Sequence, residues 1–346
     1  MRCFQGNRKM KHGKKCKIDK YTLILIVLLL LLTGLVIAWK LPQKEDRYIH
    51  VGIAVYDRSD TFMESYIREL EDKIGQMRIL GKKVSYEIYD AEGIGSRQEK
   101  QLQEMYAQDY DVMLVNLVEP ASAASVLTDA KDADIPVILF NREIDEKDLK
   151  ISKNVWYVGT DARAAGVMQG KLLKDLWKKQ SRILDWNGNG MLDYVLVEGE
   201  ESHFDAIRRT SGFLETGAEL PLNQKGNILA EWKRELAYEK FAALDDEAVQ
   251  NVEAVICNND DMALGVYDYY KEKNLKLPVI IGINNSEEMH QKIMSGEMYG
   301  TIDNKMEDQV MEICRLMQAI LKKDTGSYQK VWYSTPKAIV KAERTE

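Results

Sequence analysis

Short apolar runs alternate with longer amphipathic stretches along most of this chain. Runs dominated by aliphatic and β-branched residues fall at 50–56, 111–117, 136–140, 194–197, 254–257 and 278–283. Each is too short for a buried helix and is bounded by polar or glycine-bearing segments, which predicts buried strands. Between them apolar positions recur every three or four residues. That spacing predicts helices over 61–80, 96–107, 121–133, 162–178, 205–214, 235–244, 262–273, 287–294 and 306–322. Weaker strand patterns lie at 83–90, 156–158, 227–230 and 300–302, with a last extended stretch at 331–339. Such alternation builds parallel sheets covered by helices on both faces. Two sets of these units predict an α/β chain of two doubly wound, Rossmann-like domains.

Residues 21–39 break the alternation, being almost entirely apolar and without charge. Nineteen residues at 1.5 Å each reach about 28 Å, close to the thickness of a bilayer core. A secretory signal has a shorter apolar core and a small-residue cleavage site, and no such site is visible here. The expectation is therefore one uncleaved transmembrane helix, with a cleaved signal peptide as the alternative. The preceding residues 1–20 hold eight basic side chains against Asp19, a net +7, which keeps that tail cytoplasmic and the rest outside. Residues 40–47 form a linker.

The whole chain has 346 residues and a formal charge of −7, so the remainder beyond residue 20 carries −14. That balance argues against a nucleic-acid partner, which demands a basic face. Of the four cysteines, Cys3 and Cys16 sit on the tail, while Cys257 and Cys314 are far apart in the exported part. Free thiols are expected, since a disulfide framework needs more cysteines in a smaller domain.

The segment Asp185-Trp186-Asn187-Gly188-Asn189-Gly190-Met191-Leu192-Asp193 has the spacing of a calcium loop. Oxygen side chains stand at loop positions 1, 3, 5 and 9, a glycine at 6, and Met191 supplies a backbone carbonyl at 7. Position 12, where a bidentate Glu is required, is Leu196, and a strand rather than a helix follows. The missing carboxylate must come from elsewhere.

In open α/β sheets ligands sit beyond the carboxyl ends of the strands. At those ends lie Asp60 and Phe62, Asn141 and Arg142, His203, Asp205 and Arg209, Trp232, Asn259, Asn284 and Asn304. Amides, carboxylates and guanidinium groups bind hydroxyls in pairs, and aromatic rings stack on the C–H face of a pyranose. Taken singly, each has a plainer reading. Asp60, Asn259 and Asn284 would cap helices, Asp205 and Arg209 could be a surface pair, His203 a solvated loop residue, and Trp232 and Phe62 packing. The reading of a sugar site rests on their falling on one rim.

Several stretches together resemble the galactose/glucose-binding group of the type I periplasmic binding proteins. They are Asp60-Thr61-Phe62-Met63, the run 115–120, Phe140-Asn141-Arg142-Glu143, Tyr157-Val158-Gly159-Thr160-Asp161, the calcium-type loop, the runs 199–205 and 257–265, and the run 300–304. The resemblance implies sugar contacts at Asp60, Phe62, Asn141, Arg142, His203, Asp205, Arg209, Trp232, Asn259, Asn284 and Asn304. It also implies a structural Ca2+ held by Asp185, Asn187, Asn189, Met191, Asp193 and Glu253. The family carries Lys at position 142 and Asp at position 284, so hydroxyl contacts shift at both. In the calcium loop it carries Asp and Gln where this chain has Asn189 and Asp193.

The resulting expectation is a membrane-tethered, monomeric receptor of the type I periplasmic binding protein fold, taking a galactose- or glucose-like aldohexose in a hinged cleft. Residues 48–158 plus 305–333 would form one lobe, and 159–304 plus 334–346 the other. The partner would be an ABC permease, or alternatively a membrane histidine kinase or chemoreceptor. An enzyme is disfavoured because no nucleophile elbow, HExxH or P-loop is present. A LacI-type repressor is rejected because an apolar segment replaces the DNA-binding headpiece.

Overall fold

The computed structural model describes residues 48–341 together with Lys20, Tyr21 and Leu29. The expected basic tail, membrane segment 21–39 and linker 40–47 otherwise lie outside the described residues. Among the described residues no helix is long and apolar enough to cross a membrane.

The alternating pattern folds into two sheets. The first holds β1 (Tyr48–Val55), β2 (Arg78–Ile79), β3 (Lys82–Asp90), β4 (Val112–Val115), β5 (Val137–Asn141), β6 (Val155–Thr160) and β12 (Val331–Ser334), in the order β12-β6-β5-β4-β1-β3-β2. The second holds β7 (Leu192–Glu198), β8 (Leu222–Leu229), β9 (Ala254–Cys257), β10 (Val279–Ile283), β11 (Gly300–Asp303) and β13 (Lys337–Val340), in the order β13-β11-β10-β9-β7-β8. Both sheets are mixed rather than purely parallel. Each has one antiparallel strand at an edge, β2 against β3 and β13 against β11. The β2–β3 pair is closed by a short turn, whereas β13 returns to β11 only after α10 and β12.

The central strands are apolar on both faces, as burial between two helix layers requires. Strands β4 and β9 are buried at every residue. The first sheet packs α1 (Thr61–Gln76) and α10 (Met306–Leu321) on one face, around Tyr66, Ile67, Leu70, Ile313 and Met317. On its other face lie α2 (Gly95–Tyr106) and α3 (Ala123–Asp132), around Leu102, Met105 and Leu127. The second sheet is covered by α6 (Arg234–Ala242), α8 (Asp260–Glu272) and α9 (Glu287–Ser295) on one side. On its other side lie α4 (Ala162–Leu184) and α5 (Phe204–Gly217). The short helix α7 (Asp246–Asn251) precedes β9.

The chain passes between the sheets three times: after Thr160, at Asn304, and at Thr335-Pro336. The stretch 331–339 is thus two strands in two sheets rather than one extended segment. The crossings are knotted at one atom. The backbone oxygen of Asn304 accepts from Thr160 Oγ1 at 2.8 Å, Ser334 Oγ at 2.7 Å and Gln309 Nε2 at 2.8 Å, all buried. Buried polar groups satisfied in this way set a single register for the three passes.

Candidate functional site

The carboxyl ends of the strands in both sheets face one cleft. Ten of the eleven expected residues line a single cavity there: Asp60, Phe62, Asn141, Arg142, His203, Asp205, Arg209, Trp232, Asn259 and Asn284, joined by Tyr56. The free space, mouth included, is about 410 Å³, the scale of one small ligand. Asn304 stands one step behind, its Nδ2 donating to Asn284 Oδ1 at 3.0 Å.

Local structure places each side chain. Asp60 and Asn259 are helix caps and cavity residues at once. Asp60 Oδ1 accepts from the Met63 N–H at 2.7 Å, and Asn259 Oδ1 from the Met262 N–H at 2.9 Å. Each cap uses one oxygen, and the Asn259 amide nitrogen also donates to the Trp232 carbonyl at 2.9 Å. Asn284 is not a cap: Ser286 occupies that position before α9, and Asn284 Oδ1 is taken by Asn304. Two positive-φ residues, Glu231 and Trp232 at +50° and +67°, turn the chain after β8 and bring the indole into the cleft. The Trp232 ring lies against Gly199, where a Cβ would stand 2.3 Å from it. Only glycine leaves room for it there.

Asp205 and Arg209 are not a surface pair; both are buried, and Arg209 Nη1 donates to the Asn258 carbonyl at 2.6 Å. His203 is buried rather than solvated. Its Nδ1 accepts from the Asp205 N–H at 3.1 Å, so the ring proton sits on Nε2. Burial, helped by Arg142 and Arg209, pushes its pKa down to about 2, and the ring is a neutral donor. Asp60 and Asp205 are shifted upward by burial, Asp205 being restrained by Arg209 and Asp60 by the Met63 N–H. His203 Nε2 and Arg209 Nε are buried without a protein partner. Two orphaned donors in one cavity ask for a ligand that accepts hydrogen bonds.

Cross-cleft contacts bring the two sides together. Arg142, after β5, reaches Glu200 Oε1, after β7, at 3.2 Å. The Glu143 N–H donates to Asp205 Oδ2 at 3.2 Å, the Glu143 carboxylate meets Arg208, and Thr61 meets Asp261. Tyr56 and Glu200 are the site residues that pattern reading missed. Tyr56 follows the apolar run of β1 directly and reads as its last core residue, although its place at the strand's carboxyl end is the signal that it faces the cleft.

The calcium-type loop forms a set of Asx turns. Asp185 accepts from the N–H groups of Asn189 at 3.0 Å and Gly190 at 2.9 Å, Asn187 from Asn189 at 3.0 Å, and Asn189 from Met191 at 2.7 Å. Glu253, fully buried at the start of β9, clamps the loop: Oε1 accepts from Trp186 N–H at 2.8 Å and Oε2 from Asp193 N–H at 3.0 Å. Asp193 Oδ2 receives the amides of Asn187 at 3.0 Å and Asn189 at 3.2 Å. Among the described residues no three His, Cys, Asp or Glu side chains close on one point that could hold an ion. The donor set still suits a hard cation: three carboxylates and two amide oxygens border one turn, and burial together with the Asp185 charge raises the pKa of Glu253. The two Asn side chains would have to turn their oxygens inward.

Comparison with known proteins places these features. Residues 51–325 match the family described as "Periplasmic binding protein domain". The D-galactose/methyl-galactoside binding periplasmic protein of Haemophilus influenzae is 29% identical over 293 residues, 82% of this chain and 84% of that protein. The galactofuranose-binding protein of Escherichia coli is 27% identical over 248 residues, 69% of this chain and 74% of that one. Among solved structures, the Caulobacter myo-inositol binding protein superposes with a TM-score of 0.72 at 23% identity, covering 87% of this chain and 95% of that one. The fructose binding periplasmic domain of a hybrid two component system superposes with a TM-score of 0.71 at 19% identity, covering 84% and 90%.

Proposed function

This chain belongs to the periplasmic binding protein domain family, whose members bind solutes and are not enzymes, and from that premise we propose that it is a receptor for a single galactose- or glucose-like aldohexose, delivered to an ABC permease. The observation that carries the reading is the cavity itself. Paired amide, carboxylate and guanidinium groups surround it, and Phe62 and Trp232 supply aromatic faces. Ligand hydroxyls would satisfy the donors of His203 and Arg209, and ring C–H groups would rest on the indole. The relative from Haemophilus influenzae, named for D-galactose and methyl-galactoside, supports that sugar class.

Binding is proposed to work by closure. Residues 48–160 plus 305–334 and 161–304 plus 335–341 act as the two rigid bodies, with boundaries that follow the strands rather than the expected breaks after 158 and 333, and sugar favours the form in which both touch it. The apolar segment 21–39 is proposed as an uncleaved anchor that keeps the receptor beside its partner. Calcium is proposed for the loop, on Asp185, Asn187, Asn189, the Met191 carbonyl, Asp193 and Glu253, as a brace remote from the sugar.

A second reading has a specific support in the solved sensor domain of similar fold: the closed receptor would signal to a membrane histidine kinase or chemoreceptor. Crosslinking in membranes separates the two, capturing a permease in one case and a kinase or chemoreceptor in the other. The sugar claim itself is tested by melting the purified full-length chain with galactose, glucose, ribose, xylose or arabinose. A ligand at about 1,000 times its Kd adds roughly 4 kcal/mol of stability. A large shift with one hexose is expected, and no shift with any of the five would overturn the reading.

A further inference from the structure

One oxygen holds two cavity residues from opposite sides of the cleft. Glu200 Oε1 accepts from Arg142 Nη2 at 3.2 Å and from Trp232 Nε1 at 3.1 Å. Arg142 hangs from the first sheet, Trp232 and Glu200 from the second. The Arg142 guanidinium is otherwise committed. Its Nη1 donates to the Val118 carbonyl at 2.6 Å, and its Cζ lies 3.6 Å from the centre of the Tyr56 ring. That leaves Arg142 poorly placed to serve mainly as a hydroxyl donor. Trp232 is tethered at both ends, by Glu200 at the indole nitrogen and by Asn259 Nδ2 at its carbonyl, 2.9 Å away. The Glu200 side chain is 40% exposed at the cleft mouth, while Arg142 is 6% exposed.

We infer that Glu200 is a positioning residue that latches the cleft, setting the lifetime of the closed state while leaving contact with the ligand to Trp232 and its neighbours. The inference rests on the sugar-receptor reading for its ligand arm alone. A charge-assisted bond shared by both sides forms only when the cleft shuts, so its loss speeds opening and leaves encounter unchanged. The carboxylate also fixes the plane of the indole, which lies edge-on to His203 at 80° and 5.3 Å.

Two measurements on the full-length chain test this. The first needs no sugar: hydrogen exchange at the Glu143 N–H, which crosses the cleft to Asp205 and, although it follows Arg142, makes no bond of its own to Glu200. The second is stopped-flow association and dissociation of D-galactose and D-glucose. Glu200→Ala should speed exchange at Glu143 roughly tenfold and sugar dissociation roughly tenfold, with association unchanged and exchange in α10 unchanged. Glu200→Gln keeps an acceptor for both partners and should recover part of each loss, which a general loss of stability would not do. Wild-type exchange in Glu200→Ala would overturn the latch, whether or not sugar binding weakens. Faster exchange in a protein that holds neither hexose would uphold the latch and remove the aldohexose reading.

Discussion

The backbone oxygen of Arg209 lies where a side chain on Gly166 would begin: a Cβ built on Gly166 stands 1.9 Å from it. Helices α4 and α5 are that close because Gly212 answers from the other side, its own Cβ position 2.2 Å from the Arg163 oxygen. A guanidinium in the cavity is thus aimed by two glycines outside it.

Gly166→Ala should therefore damage both fold and site. Alanine gains about 1 kcal/mol of helix propensity, but the overlap with a backbone atom that cannot rotate away should cost at least about 2–3 kcal/mol net. Urea denaturation should show the loss, and calorimetry a weaker sugar affinity as Arg209 is displaced.

Asn284 is, with Arg142, one of the two positions where this cavity departs from the group it resembles. Its oxygen is occupied by Asn304, so an amide N–H faces the ligand. Asn284→Asp keeps the Asn304 bond and adds a free acceptor. Galactose or glucose should then bind about tenfold tighter by titration calorimetry, and an unchanged Kd would place the sugar away from Asn284.

Glu143 should make stability depend on pH. Burial, Asp205 and Asp161 raise its pKa to about 7, against the pull of Tyr333 and Arg208. A folded pKa above the unfolded one means that the native state binds the extra proton. The Glu143 contribution to stability is full below the unfolded value near 4.5 and is lost as pH rises through 7. The slope should approach about 1.4 kcal/mol per pH unit at its steepest. Glu143→Gln, which still accepts from Arg208 and Tyr333, should make the pH 5–8 melt profile shallower, with the buried Asp260 and Asp261, each raised to about 6, keeping part of the slope.

Calcium removal should lower the melting temperature of the full-length chain by several degrees, with sugar affinity nearly unchanged. Glu253→Gln should remove that chelator response. A melt insensitive to chelator would mean that the loop is closed by its own amides.

How much of this could be read from residues differs by element. The buried strands were legible because five apolar residues in a row admit few alternatives. The hairpin strand β2 was not. It is two residues long and depends on the positive φ of Leu80 and Gly81, 52° and 79°, which no periodicity reports. Helix α4 runs past its predicted end to Leu184 because a helical turn resumes beyond a kink at Gln180, whose φ of −139° is not helical. In the site, polar groups at strand ends could be found one by one, since their position follows from topology. Glu200 could not, because its meaning depends on Arg142, which lies 58 residues away on the other sheet.

The crossing at Thr335-Pro336 has a consequence for how such a receptor comes into being. Strands β12 and β13, four residues each within the span from Val331 to Val340, finish an edge of each sheet. Made after every other strand of the two sheets, they are needed by both halves, and Ser334 also completes the knot on Asn304. An elongating chain that has emerged only to residue 330 lacks one strand in each half. Both sheets therefore wait on the same short segment for their last edge strand.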